Sequence, residues 1–179
     1  MKTILLFLLV LITVVCFGQK NVEKAHKLFE TANSRMKVMK DEIDSVMIYQ
    51  SITDYTEAIQ LYPEFWHAYR NRSRWYGRTG QFQKAVDDLT IALRYADSSN
   101  AIDLYDMRAY WYYDLKQYKM AINDWTIAIE HLGNASFALL SRAKAEYMLG
   151  QKDTACADYK KAVLLNGNLK EQTEFKFCE

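Results

Sequence analysis

One pattern recurs four times along the chain and restricts its fold more tightly than any other feature. The segments are Ser51 to Ala58 (SITDYTEA), Ala85 to Ala92 (AVDDLTIA), Ala121 to Ala128 (AINDWTIA) and Ala155 to Ala162 (ACADYKKA). Each opens on a small residue, places Asp three positions on and a bulky residue four on, and closes on Ala seven on. The closing alanines lie 34, 36 and 34 residues apart. Positions i, i+4 and i+7 share one face of an α-helix. The small residues let a neighbouring helix approach closely, and the bulky one fills the space between.

A second helical stretch precedes each of the last three segments. Ala68 to Tyr76 leads to Thr79-Gly80-Gln81-Phe82, Leu104 to Tyr112 to Lys116-Gln117-Tyr118, and Ala138 to Ala145 to Leu149-Gly150-Gln151. The Gly-Gln and Lys-Gln pairs mark the turns, because a helix that ends on a left-handed residue favours Gly there.

With small and bulky positions recurring at this period, the chain resembles the tetratricopeptide-repeat (TPR) family, whose unit is a 34-residue helix-turn-helix. The matching small positions are Ser73, Ala109 and Ala143 in the first helices and Ala85, Ala121 and Ala155 in the second; Pro63 sits at the family's proline position. Tyr69, Tyr76 and Phe82, then Tyr105, Tyr112 and Tyr118, fit the bulky sites, whereas Glu146 and Lys152 depart from them. The resemblance covers nearly all of residues 19–179 and implies an all-α, right-handed α-solenoid of about four repeats with a C-terminal capping helix. It places the repeats at 22–65, 66–99, 102–135 and 136–169 of a single domain, with the cap at 168–179. It also implies a concave groove that binds a protein or peptide, without naming the partner. The groove positions include Phe29 and Asn33 in repeat one; Arg70, Arg74, Gly77 and Arg78; Asp106, Tyr110, Tyr113 and Asp114; and Leu140, Lys144 and Tyr147. Tyr and Arg are enriched at binding hot spots. The opposing possibility is that Arg70 and Arg78 pair with Asp106 and Asp114. The rival function is a structural or assembly subunit acting through its outer face.

Arg72, Arg108 and Arg142 recur in the first helices, and Asp54, Asp88, Asp124 and Asp158 in the second. Their counts suggest pairing between neighbours: Asp54 with Arg72, Asp88 with Arg108, Asp124 with Arg142. Pairing within repeats remains open. Repeat one is irregular. Its first helix is expected from Val22 to about Lys40, and a charged insertion of about seven residues falls around Lys37 to Asp44. The cap is expected to direct Leu169, Phe175 or Phe177 inward.

At the N-terminus, Lys2 precedes an apolar run from Ile4 to Val15, and Cys16-Phe17-Gly18 puts small residues before Gln19. That order reads as a secretory signal peptide over residues 1–18, with a lipidated Cys16 or an uncleaved anchor as alternatives. A mature chain from Gln19 would be periplasmic or secreted. It would carry 22 Lys and Arg, one fewer than the full chain's 23, against 22 Asp and Glu. A neutral balance lacks the basic footprint of a nucleic-acid binder. Cys156 and Cys178 would remain, an even number in an oxidising compartment. They stand 11 residues on either side of Gly167, so two helices folded about that turn would bring them together as a disulfide; two separate thiols are the alternative. The histidines His26, His67 and His131 have no metal-ligand spacing. Nor is there a glycine-rich phosphate loop or a nucleophile elbow. The sequence therefore points to a non-enzymatic protein with no cofactor.

Overall fold

In the computed structural model, residues 18–35, 45–132, 135–170 and 173–178 are described, and all their regular structure is helical. Residues 1–17 of the expected signal peptide and the expected insertion around Lys37 to Asp44 lie outside them. Helix α1 covers 18–35, and α2 is Ser45–Leu61. Then come α3 Trp66–Arg78, α4 Phe82–Tyr95, α5 Ser98–Asp114, α6 Tyr118–His131, α7 Ser136–Met148 and α8 Lys152–Leu165. No described helix is long and apolar enough to cross a membrane.

The chain groups into two compact units, Met1–Trp75 and Tyr76–Glu179, where the sequence reading has one domain. Repeat proteins contact mainly their sequence neighbours, so compactness is local in them. In the N-terminal unit, α1 and α2 bury Ala25, Ala32, Ile48, Tyr55 and Ala58. Phe29 and His26 pack on Phe65, with ring centroids 4.8 Å and 4.5 Å apart. The Tyr55 hydroxyl donates to Asn33 Oδ1 at 2.6 Å, and the Asn71 amide donates to the same oxygen at 2.8 Å. Burial pushes the Tyr55 phenol up to about 12.

In the C-terminal unit the small and bulky positions do what the pattern implies. Ala85, Ala109, Ala121, Ala128, Ala143, Ala155 and Ala162 are fully buried, with Leu89, Trp125 and Tyr159 between them. The turns are three copies of one motif. Gly80, Lys116 and Gly150 have φ of 73°, 59° and 77°. Their amides donate to Gly77, Tyr113 and Tyr147, and the following Gln81, Gln117 and Gln151 donate five residues back to Tyr76, Tyr112 and Glu146. This is a Schellman closure, with the left-handed residue satisfying the last carbonyls of the helix. Each Gln then opens the next helix, its carbonyl accepting from Ala85, Ala121 or Ala155.

The expected Arg–Asp pairing between neighbours is corrected. Arg108 grips Asp124 of its own repeat through Nε at 2.7 Å and Nη2 at 2.9 Å. Arg142 grips Asp158 likewise, at 2.6 Å and 2.9 Å. In repeat one, Arg35 pairs with Asp54, one turn after the Thr31 that stands at the expected site. The tie to the preceding repeat is a threonine. Arg72, Arg108 and Arg142 each donate from Nη1 to the hydroxyl of Thr56, Thr90 or Thr126, at 2.9–3.0 Å. Those hydroxyls donate in turn to Ile52, Val86 and Ile122 carbonyls at 2.7–2.8 Å. A planar guanidinium can hold a carboxylate bidentately and still have a donor left over, which is why one Arg serves both contacts.

The cap also differs. Asn166 is extended, and instead of one α-helix two short 3-10 segments follow, Gly167–Leu169 and Thr173–Cys178. A segment this short is a marginal α-helix on its own. Leu169 and Phe175 are buried, as expected of a cap, and Phe175 stacks on Tyr159 at 4.6 Å. A disulfide joins Cys156 to Cys178, with Cα atoms 5.3 Å apart. Glu146, at a position where the repeat wants a bulky residue, is buried with Oε2 unpartnered. Burial and the Asp158 charge push its carboxyl upward.

Candidate functional site

The sequence-derived groove residues divide between the units. Arg70 and Arg74 are on the part of α3 that belongs to the N-terminal unit, Arg70 half-buried and Arg74 exposed. Arg78 ends that helix, exposed, in the C-terminal unit. The C-terminal unit also holds Asp106, Tyr110, Tyr113 and Asp114 on α5, and Lys144 and Tyr147 on α7. At about 100° per residue, Asp106, Tyr110, Tyr113 and Asp114 fall within an arc of about 100° on α5. The α5 and α7 faces meet where the Ser141 hydroxyl donates to the Tyr110 hydroxyl at 3.2 Å.

Beneath this face lies Trp125, only 1 % exposed. Tyr110 meets it edge-on at 5.3 Å, and Tyr113 is tilted against it at 6.1 Å. Tyr113 also meets Tyr118 edge-on at 5.3 Å. The tyrosines are thus set by ring packing, and Tyr110 still leaves 39 % of its surface open. On α7, Phe137, Tyr147 and Met148 are exposed by 62 %, 38 % and 52 %. Burial pushes the Asp106 carboxyl above the usual carboxylate range. The Trp125 indole N–H, nearby but outside hydrogen-bond geometry, pulls the other way, and the Asp103 charge adds to the rise. Burial raises Asp114 and the Tyr110 phenol as well.

Some positions implied by the resemblance do not line a surface. Leu140 is buried in the core of the last repeat. Gly77 is buried too; a Cβ there would come within 2.3 Å of the Trp111 ring. In repeat one, Phe29 and Asn33 are half-buried and engaged with Phe65 and Tyr55. Two participants were absent from the sequence reading of this face. Trp125 was read only as a spacer between helices, and Ser141 carried no signal of its own. Cys156, partly buried, and Cys178, buried, lie at the far end of the last repeat, in the disulfide.

This architecture is shared with solved TPR proteins. A MamA fragment from Desulfovibrio magneticus aligns with a TM-score of 0.75 at 15 % identity, covering 87 % of this chain and 83 % of that one. YrrB, described as a TPR protein with an unusual peptide-binding site, aligns at 0.70 and 19 % identity, covering 89 % and 83 %. The first TPR domain of RPAP3, solved with an HSP90 peptide, aligns at 0.62 and 22 % identity, covering 72 % and 95 %. At these identities the likeness concerns the fold, an all-α array of helical repeats. No family profile matches the chain, and no curated protein does.

Proposed function

We propose that this chain is an exported, non-enzymatic scaffold that binds an extended segment of a partner protein on the face formed by α5 and α7. The observation that carries the reading is the set of open aromatic and apolar side chains there, Tyr110, Phe137, Tyr147 and Met148, of which Tyr110 is held by ring packing on Trp125. Exposed apolar patches of this kind mark interaction surfaces. Similar folds in YrrB and RPAP3 have peptide sites according to their descriptions, which supports the same class of partner. Export rests on residues 1–18, and a Cys156–Cys178 disulfide suits an oxidising compartment.

Partner capture from the native envelope fraction tests the binding face. Phe137→Ala and Tyr110→Ala are expected to lose the captured partner while helicity by circular dichroism stays unchanged. Arg74→Glu extends the test to α3. Undiminished capture by Phe137→Ala and Tyr110→Ala would instead favour an assembly subunit acting through its outer helices, where Leu164 is 86 % exposed. Intact mass of the secreted protein tests export: a chain starting at Gln19 is expected, and a diacylated Cys16 would overturn cleavage there.

A further inference from the structure

The α5–α7 face is not uniformly apolar, and its charges distinguish among the peptides it can take. We propose that Asp106, flanked by Tyr110 and Trp125, seats a basic side chain of the bound segment, with Asp114 taking a second one. This deepens the reading above and rests on it.

Asp106 Oδ1 has lost its water and gained no hydrogen bond from the described residues. A buried, unsatisfied carboxylate oxygen costs free energy that a charged donor recovers. The Trp125 Nε1 beneath it is equally without a partner, and Trp125 is 1 % exposed. Burial raises the Asp106 carboxyl and the indole N–H opposes that rise, so a cationic donor seated on it would favour the ionised form. Arg108, the cation on α5 nearest in sequence, is committed to Asp124 and Thr90.

The walls suit a cation as well. The Tyr110 ring is edge-on to Trp125 and fixed by Ser141, so it offers a rigid aromatic surface beside the carboxylate. A guanidinium or ammonium gains from both, by hydrogen bonding to Asp106 and by cation–π contact. Asp114 lies eight residues further along α5, about 12 Å by helical rise. An extended chain covers about 13 Å in four residues. Basic residues at i and i+4 therefore match the two carboxylates, and the residue at i+2, on the same side of the strand, meets the exposed apolar side chains.

Three acetylated, amidated five-residue peptides, X-Ala-Phe-Ala-X with X as Arg, Gln or Glu, test this by titration calorimetry on the full chain at low ionic strength. The Arg peptide is expected to bind about tenfold tighter than the Gln peptide, the factor a single charge-assisted hydrogen bond supplies, and the Glu peptide most weakly. Asp106→Asn, close to isosteric, is expected to erase the advantage of Arg over Gln; Asp114→Asn is expected to reduce it. Equal or tighter binding of the Gln or Glu peptide overturns the assignment, as does an Asp106→Asn chain that still prefers Arg. If such a peptide binds and Phe137→Ala abolishes that binding, the peptide-binding reading stands and only its charge preference falls. If none of the three binds, the basic-side-chain site falls, and the partner-capture experiment decides the parent reading by itself.

Discussion

Thr90→Val isolates the tie between successive repeats. The substitution keeps the β-branched shape and removes only the hydroxyl. In the native protein that oxygen accepts from Arg108 Nη1 at 3.0 Å and donates to the Val86 carbonyl at 2.8 Å. Losing a hydrogen bond from a charged donor costs about 1.5–3 kcal/mol. Back-bonding of a mid-helix Thr to its own helix is slightly destabilising, so its loss returns a little. The net cost should be about 1.5 kcal/mol. It should be smaller than that of Asp124→Ala, which strands a half-buried guanidinium and belongs to the class costing roughly 3–5 kcal/mol. Urea unfolding followed by circular dichroism reads both values, with the m-value unchanged. The decisive comparison is the double-mutant cycle with Arg108→Met. If the hydroxyl acts through Arg108, Thr90→Val should be nearly neutral in that background, giving a coupling of about 1–2 kcal/mol. A coupling near zero would refute the tie and reduce the threonine to a helix-surface residue.

Four further outcomes follow, three from single positions and one from the cysteine pair. Lys116→Gly should stabilise the chain by about 1 kcal/mol in thermal or urea unfolding, because Lys116 occupies the left-handed conformation that glycine holds in the other two turns. Tyr55→Phe should flatten the alkaline loss of stability. With the phenol raised to about 12, Tyr55 contributes stability that is complete below pH 10 and lost as pH rises toward 12, and urea midpoints across that range would show it. Glu146→Leu should raise stability at pH 7 by about 1–3 kcal/mol. The folded-state shift is upward, so Glu146 costs stability above the ordinary Glu range, and the gain should shrink as pH falls through that range. Replacing Cys156 and Cys178 with Ser should cost about 3 kcal/mol for a 22-residue separation, and thiol counting on the unreduced, unfolded native protein should find neither cysteine free.

The fold was legible because packing imposed it on residue size at a fixed interval. Ala85, Ala121 and Ala155 are small where helices touch, and Leu89, Trp125 and Tyr159 are bulky four residues later. The turn residues were legible for a related reason, even at Lys116, where the pattern rather than the residue type announced the turn. The partners of Arg108 and Arg142 were harder to see. Residue counts fit pairing with the preceding Asp as well as with the following one, and only the fork geometry of the guanidinium decides between them. The recurring D-x-T of Asp54-Tyr55-Thr56, Asp88-Leu89-Thr90 and Asp124-Trp125-Thr126 carried the missing signal. The candidate face was legible at Tyr110 and Tyr147, which alternate out of the core. It was not legible at Leu140 or Gly77, whose burial depends on how closely neighbouring helices approach.

The threonine tie gives the array a grammar. Thr56, Thr90 and Thr126 each hand a hydroxyl forward to the arginine of the next unit, whereas Asp158-Tyr159 is followed by Lys160, an ammonium that cannot accept from one. The fourth unit thus offers no hydroxyl to a following arginine, and the Cys156 staple holds the segment after it in place. Duplication or excision of a 34–36-residue unit upstream of Lys160 would preserve every hand-over. A new unit appended after Lys160 would find no hydroxyl offered and a covalently fastened lid in its place. In a chain of this design the hydroxyl hand-over favours a change of length from within the array.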